Sequence, residues 1–216
     1  MDRVLVATDD LRIVEAVRAS GGEAVMTRAD HPSGTDRVAE VAAGLDAKLI
    51  INVQGDEPEM DPNSIDTLVD LMQSRPEAEM GSLACRFKRT EDVLNPACVK
   101  VVVDAQGYAL YFSRSVIPYP RDARGQVETP GDWLLHLGIY AYRPGFLVRL
   151  TRMPPAGLER VEQLEQLRAL HAGAKIAMAV VPHESTGIDT PEQYAAFVER
   201  YRAGHGTAGT RPEIKG

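Results

Sequence analysis

The stretch that most constrains the fold is residues 48–58, KLIINVQGDEP. Residues 49–53 form a mainly apolar run with β-branched Ile50, Ile51 and Val53, short enough for a strand buried on both faces. The run stops at once in Gln54-Gly55-Asp56-Glu57-Pro58. A buried strand ending in a glycine turn with two carboxylates predicts an open α/β sheet, because such sheets place ligands beyond the carboxyl ends of their strands. Asp56 is the candidate centre of the chemistry. The plainer reading is an acidic turn, with Glu57 solvated and Asp56 capping a local backbone group.

The flanking sequence supplies the rest of such a sheet. Residues 3–7 read as a strand, Thr8-Asp9-Asp10 as a turn, and the next segment as a helix with Ile13, Ala16 and Val17 on its apolar side. Gly21-Gly22 ends that helix and residues 23–26 form a second strand, completing a β-α-β unit. The loop TRADHPSGT leads into a helix from about Asp36, with Val38, Val41, Ala42 and Leu45 inward. Ser33-Gly34-Thr35 at its start offers amides and hydroxyls to a polar ligand, with Arg28 and His31 as further donors. Simple N-capping by Ser33 or Thr35 explains the same residues. Pro62 opens a helix with Ile65, Leu68, Val69 and Met72 on one side. Residues 80–87 read as a strand, and residues 100–103 and 108–112 as a hairpin, so the sheet is mixed.

Farther along, residues 113–121 (SRSVIPYPR) carry Arg114 and Arg121, and residues 133–142 form a strand in which His136 and Tyr140 face the same way. A histidine in an apolar strand is ordinarily a satisfied core residue, and the alternative is a ligand contact. Residues 158–170 read as one helix, with leucines or valine at 158, 161, 164, 167 and 170. Glu165 and Arg168 fall within its apolar arc, so they either pair at i, i+3 or, for Glu165 with Gln166, point into a site. Residues 176–181 form a buried strand. Thr190-Pro191-Glu192-Gln193 has the pattern of a helix N-terminus, which leaves Asp189 free to face the same mouth as Asp56. Residues 1–202 are thus one domain, and residues 203–216, without periodicity, are expected to be a disordered tail.

A net charge of -7 argues against a nucleic-acid groove, so phosphates would need a metal ion and locally placed cations. Cys85 and Cys98 form no CxxC pair and read as small core residues. With neither a membrane-length apolar run nor a signal peptide, the expectation is a cytoplasmic protein without membrane insertion.

Eight segments, VLVATDD, MTRADHPSGTDR, INVQGDEP, LNPACVKVV, GYALYFSRSVIPYPR, HLGIYAYR, LEQLRAL and TGIDTPE, together resemble the 3-deoxy-manno-octulosonate cytidylyltransferases, the CMP-Kdo synthetase family of lipopolysaccharide synthesis. The resemblance covers residue 3 to about residue 200. It implies a three-layer α/β/α fold with a mixed, mostly parallel central sheet of the nucleotide-diphospho-sugar transferase kind, plus a small dimerisation hairpin region and a homodimer. It implies transfer of CMP from CTP to Kdo with release of pyrophosphate, assisted by Mg2+. On this resemblance Asp56 and Asp189 match the metal carboxylates, and Arg28 and Ser33 match positions facing the nucleotide. Gln54 lies where nucleotide and sugar meet. His136, Tyr140, Glu165 and Gln166 match the sugar pocket, and Arg114 and Arg121 lie in a segment suited to the Kdo carboxylate or the dimer contact.

The family pattern also includes an earlier strand and a basic loop of the type A-R-x-x-S-x-R-L-P-G-K, which grips the triphosphate. Here the chain starts at what should be the second strand. The expectation is a misassigned start or a truncated, inactive product, lacking roughly thirty to forty residues on the scale of a β-α-β unit. Its absence would leave strand edges unpaired and remove several kcal/mol of transition-state stabilisation. The rival readings are a cytidylyltransferase for a related sugar acid, such as sialic acid or an 8-amino Kdo analogue, and a non-catalytic nucleotide-binding, sugar-binding or dimerising module.

Overall fold

The computed structural model describes residues 3–182, 187–188 and 190–204. The chain opens with a parallel pair, β1 (Val6–Thr8) and β2 (Ala24–Met26), joined through α1 (Leu11–Ala19). Asp10 starts α1 by accepting the Arg12 amide at 2.9 Å. The apolar side of α1 differs from the sequence reading. Val14 is the residue it buries, while Ile13 and Ala16 are exposed. After α2 (Gly34–Ala42) come β3 (Ile50–Asn52), α3 (Pro62–Ser74), β4 (Met80–Arg86) and α4 (Thr90–Leu94). The hairpin β5 (Lys100–Val103) and β6 (Ala109–Ser113) follows, then β7 (Leu134–Tyr142) and three helices, α5 (Pro144–Thr151), α6 (Gly157–Glu162) and α7 (Gln166–His171). The chain closes with β8 (Ile176–Val180) and α8 (Pro191–Gly204). The expected tail, apart from Ala203 and Gly204 in α8, lies outside the described residues.

The main sheet runs β6-β5-β7-β4-β8, with β3 also on β7. It is mixed, as the hairpin predicted, but it is not mostly parallel. Only β4 and β8 pair in parallel within it, and every other ladder is antiparallel. The cause is the position of β7. Running against β3, β4 and β5, it makes each contact with them antiparallel, although those three strands and β8 share a direction.

Alternating side chains on the central strands build two cores. Met80 and Ala84 of β4 and Tyr142 of β7 pack with Ala39 of α2, Leu147 and Leu150 of α5 and Leu167 of α7. Leu83 and Cys85 of β4 and Ile139 and Ala141 of β7 face Leu68 and Met72 of α3 on the other side. Helices on both faces give the expected three layers. α3 lies so close to β4 that a Cβ on Gly81 would stand 2.7 Å from the Met72 sulfur. At the outer edges, β1 pairs only with β2 and β3 only with β7 among the described residues, and Val4, Val6 and Val53 beside them are exposed.

The single helix expected over residues 158–170 is two. Gln163 adopts the left-handed conformation at φ 53° and breaks the run between α6 and α7. A continuous helix would have had to bury its leucine and valine positions over about two thirds of its circumference. With the break, Leu164 and Leu167 are buried while Leu158 and Val161 face outward. The two pieces are tied by Arg168, which donates to Glu159 at 2.5 and 2.9 Å, while Glu165 stands 3.9 Å away. The expected Glu165–Arg168 pair is therefore a secondary contact. Removing Arg168 alone leaves the half-buried Glu159 carboxylate unpaired. Arg168→Leu is expected to lower stability by at least about 2 kcal/mol, and adding Glu159→Leu to recover most of that loss. Urea denaturation of the single and double variants measures it; equal stability of Arg168→Leu and wild type would contradict it.

Candidate active site

A strand has two edges, and β4 covers one edge of β7 from Leu134 to Tyr142. β5 and β3 must therefore share the other. β5 pairs there with Leu134 and Leu135, β3 with Tyr140 to Tyr142, and one further bond joins the His136 amide to the Val99 carbonyl at 2.8 Å. Between the two lies a short unladdered length of β7 centred on Gly138. A cleft of about 900 Å³ opens at this gap. Its walls come from β7, from the turn after β3, from the start of α2, from residues 97–99 before β5 and from the α6–α7 break. Gly138 is what lets the walls close. A Cβ there would stand 3.2 Å from the Glu57 carboxylate and 3.8 Å from Gln54 Cγ.

On β7 the imidazole of His136 lies edge-on to Phe112 and 5.5 Å from the Tyr140 ring. Its Nε2 is 3.0 Å from the hydroxyl of Ser82, a fully buried residue of β4. Burial pulls the His136 pKa down to about 3, so the ring is neutral at physiological pH. Burial pushes the Tyr140 phenol well above its usual value, and the nearby Glu165 and Glu57 add to the effect. Both side chains are thus uncharged hydrogen-bonding groups. Each residue packs with the core and also lines the cleft.

The other walls are held by cations bonded to backbone. Arg114 donates to the carbonyls of Glu162 at 2.7 Å, Pro96 at 3.0 Å and Gln163 at 3.3 Å. The Glu162 carboxylate in turn accepts from the Ser113 hydroxyl at 2.6 Å and the Arg114 amide at 2.9 Å. Lys100, fully buried, donates to the Cys98 carbonyl at 2.7 Å and the Asn95 carbonyl at 3.1 Å. Burial holds its pKa below the usual lysine value. The turn at Gln163 brings Glu165 and the buried Gln166 to the cleft. At the far wall Ser33 caps α2, accepting the Asp36 amide at 3.2 Å and donating to the Asp36 carboxylate at 2.6 Å.

Of the residues singled out from sequence, Ser33, Gln54, Arg114, His136, Tyr140, Glu165 and Gln166 all line this cleft. Arg28 does not. It is exposed, 3.5 Å from Asp30 and 3.7 Å from Glu40, and His31 bonds to the same Glu40. Arg121, in the segment between β6 and β7, does not line it either. Asp56 is exposed on the turn whose Gln54 and Glu57 line the cleft, and its carbonyl accepts the Ile188 amide at 2.8 Å. Asp189 lies outside the described residues. Among the described residues no group of three or more His, Cys, Asp or Glu side chains is placed to hold a metal ion. Sequence reasoning missed Glu57, Gly138, Ser82 and Gln193. A glycine inside a strand signals a close approach, and that signal was available for Gly138. Gln193 reached notice only through the capping box it forms with Thr190.

A cleft of this form, with uncharged and acidic hydrogen-bonding groups at the edge of a mixed sheet, suits a polyhydroxylated ligand. The chain belongs to the cytidylyltransferase family, whose model matches residues 1–176. It is 45% identical over 208 residues to the 3-deoxy-manno-octulosonate cytidylyltransferase of Geobacter sulfurreducens, covering 94% of this chain and 83% of that protein. It is 48% identical over 201 residues to the enzyme of that name from Syntrophobacter fumaroxidans, covering 92% and 79%. The solved structure of CMP:2-keto-3-deoxy-manno-octonic acid synthetase complexed with CTP superposes with a TM-score of 0.84 at 43% identity, over 94% of this chain and 80% of that one. A likeness of fold alone, TM-score 0.56 at 10% identity over 91% and 76% of the chains, links it to HddC from Yersinia pseudotuberculosis.

The neutral His136 has a consequence for stability. In the unfolded chain its pKa returns to the ordinary value of 6.5, so acid protonates the unfolded state first. The contribution is complete above that value and is lost progressively as pH falls toward about 3. Between pH 7 and 4 wild type should lose about 3 kcal/mol more than His136→Gln. Denaturant midpoints across that range measure it; parallel pH profiles would contradict it.

Proposed function

We propose that this protein transfers CMP from CTP to 3-deoxy-D-manno-octulosonate (Kdo), giving CMP-Kdo and pyrophosphate in the cytoplasm for lipopolysaccharide synthesis. The observation that carries the reading is the convergence of Gln54, His136, Tyr140, Glu165 and Gln166, far apart in sequence, on one cleft at the gap in β7. The 45–48% identity to proteins named for this reaction supports the same substrates. In the reaction the anomeric hydroxyl of Kdo attacks the α-phosphorus of CTP. A new P–O bond forms, the bond from the α-phosphorus to the bridging oxygen breaks, pyrophosphate leaves, and the hydroxyl proton goes to solvent or a base. Neutral His136 and Tyr140, with Gln54 and Gln166, orient the sugar through hydrogen bonds. The walls held by Lys100 and Arg114 keep those groups in position.

Asp56 and Asp189 are the proposed ligands of Mg2+, which when bound neutralises charge on the phosphates. Two carboxylates are hard oxygen donors suited to that ion, and the Ile188–Asp56 backbone bond, next to Asp189 in sequence, supports the pairing. Ser33 is proposed to face the nucleotide from the start of α2, with Arg28 farther out. A homodimer is proposed through the hairpin region, where Leu110 and Tyr119 are exposed.

Pyrophosphate release from CTP should depend on Kdo and on Mg2+, and be slower with sialic acid. No release with any sugar acid would contradict the reading. Asp56→Asn should cut turnover at least about a hundredfold without shifting the melting temperature; retained activity would remove Asp56 from the metal site. Sedimentation equilibrium should return twice the chain mass, shifting toward one chain mass in Tyr119→Asp; a monomeric wild type would contradict the dimer.

A further inference from the structure

We propose that Ser82 fixes His136 as its Nε2–H form, so that the ring meets the sugar acid through Nδ1 as a hydrogen-bond acceptor and selects a hydroxyl at that wall. The inference rests on Kdo occupying this cleft, and it adds a residue that does not line the cleft and acts only through His136.

It starts from a flaw in the β4–β7 ladder. Ser82 faces Tyr140 and the next residue, Leu83, faces Leu137. One step on β4 therefore matches three on β7, and Gly138 and Ile139 have no opposite residue. Bulges of this kind re-aim side chains and free backbone groups from the ladder. Here the Ser82 hydroxyl fills the flaw. It lies 2.8 Å from the Ile139 carbonyl, 3.2 Å from the Leu137 carbonyl and 3.0 Å from His136 Nε2.

A serine hydroxyl has one proton and two lone pairs. Carbonyl oxygens only accept, so the proton goes to them, and the shorter contact is to Ile139. The contact to Nε2 must then be one in which Ser82 accepts, which requires a proton on Nε2. The opposite arrangement would give the Ser82 proton to the ring and leave both carbonyls without it, at a site where the hydroxyl is fully buried. A neutral imidazole with Nε2 protonated has a lone pair on Nδ1. Nδ1 has no partner among the described residues, yet no buried polar side-chain atom there lacks one, so Nδ1 is open to the cleft that His136 lines.

That lone pair decides what can sit against it. Among the described residues the charged groups lining the cleft are Glu57 on the turn after β3, Glu165 at the α6–α7 break and Arg114 after β6. A carboxylate next to His136 would meet a lone pair, with two anionic side chains on neighbouring walls. A hydroxyl donates to Nδ1 and is favoured. The sugar acid thus turns its carboxylate away from β7 and presents a hydroxyl to His136, and Ser82 maintains that choice from β4.

The test is 15N NMR of histidine-labelled protein without substrate, with the His136 signals assigned by their loss in His136→Gln. Wild type should show Nε2 protonated and Nδ1 unprotonated from pH 8 to pH 5, and added Kdo alone should shift Nδ1 in the direction of an accepted hydrogen bond. Ser82→Ala should show both tautomers and a KM for Kdo about tenfold higher, with the KM for CTP unchanged; Ser82→Thr, which keeps the hydroxyl, should restore the single tautomer. A wild-type ring protonated on Nδ1, or one that becomes imidazolium between pH 8 and 5, overturns the proposal. Ser82→Ala with the single tautomer and the wild-type KM for Kdo overturns it as well. Failure of wild type to make CMP-Kdo would overturn the assigned reaction instead, since the tautomer is read without turnover.

Discussion

Two strands on one edge of β7 are the constraint from which the site follows. Because β4 runs along the other edge, with one bulge, β3 and β5 must divide the remaining one, and they do not meet. A gap in a ladder leaves backbone polar groups that need partners, and a ligand can supply them. The same geometry accounts for the glycine at Gly138. A Cβ at that position would press on the Glu57 carboxylate at 3.2 Å and touch Gln54 Cγ at 3.8 Å.

An opening of this kind stays open only if its walls are fixed, and the walls are loops. The protein fixes them with buried polar groups bonded to carbonyls. Lys100 holds residues 95–98 from beneath, Arg114 ties that loop to the turn at Gln163, and Ser82 bonds the Ile139 and Leu137 carbonyls at the bulge. The buried Lys100 is expensive to desolvate and is retained only because its hydrogen bonds are made. The result is a cleft in which His136 and Tyr140 stay uncharged and offer hydrogen bonds of fixed direction.

Much of this was legible in the chain. The apolar run at residues 49–53 and the turn at Gln54–Glu57 located one wall, and the period-2 pattern of residues 134–142 put His136 and Tyr140 on a common face. The capping signature at Thr190 gave the right start for α8, while α2, read from about Asp36 with Ser33 or Thr35 as cap, starts at Gly34 after Ser33. What was not legible depended on pairing. Nothing local says that β7 would insert between β3, β5 and β4, which is why the parallel share of the sheet came out smaller than expected. The break at Gln163 was hidden because glutamine is a good helix former and its left-handed conformation is imposed by tertiary packing. Ser82 was invisible for the same reason, since a serine in an apolar strand acquires its role only when the His136 ring, 54 residues later, comes within hydrogen-bonding distance from β7.

The central claim is that the gap at Gly138 is where the sugar acid sits. A crystal structure of the protein soaked with Kdo tests it most directly. The account predicts sugar density against β7 between the ends of β3 and β5, within hydrogen-bonding distance of His136 and Glu165. Sugar density at another surface, with this cleft holding only water, would contradict it.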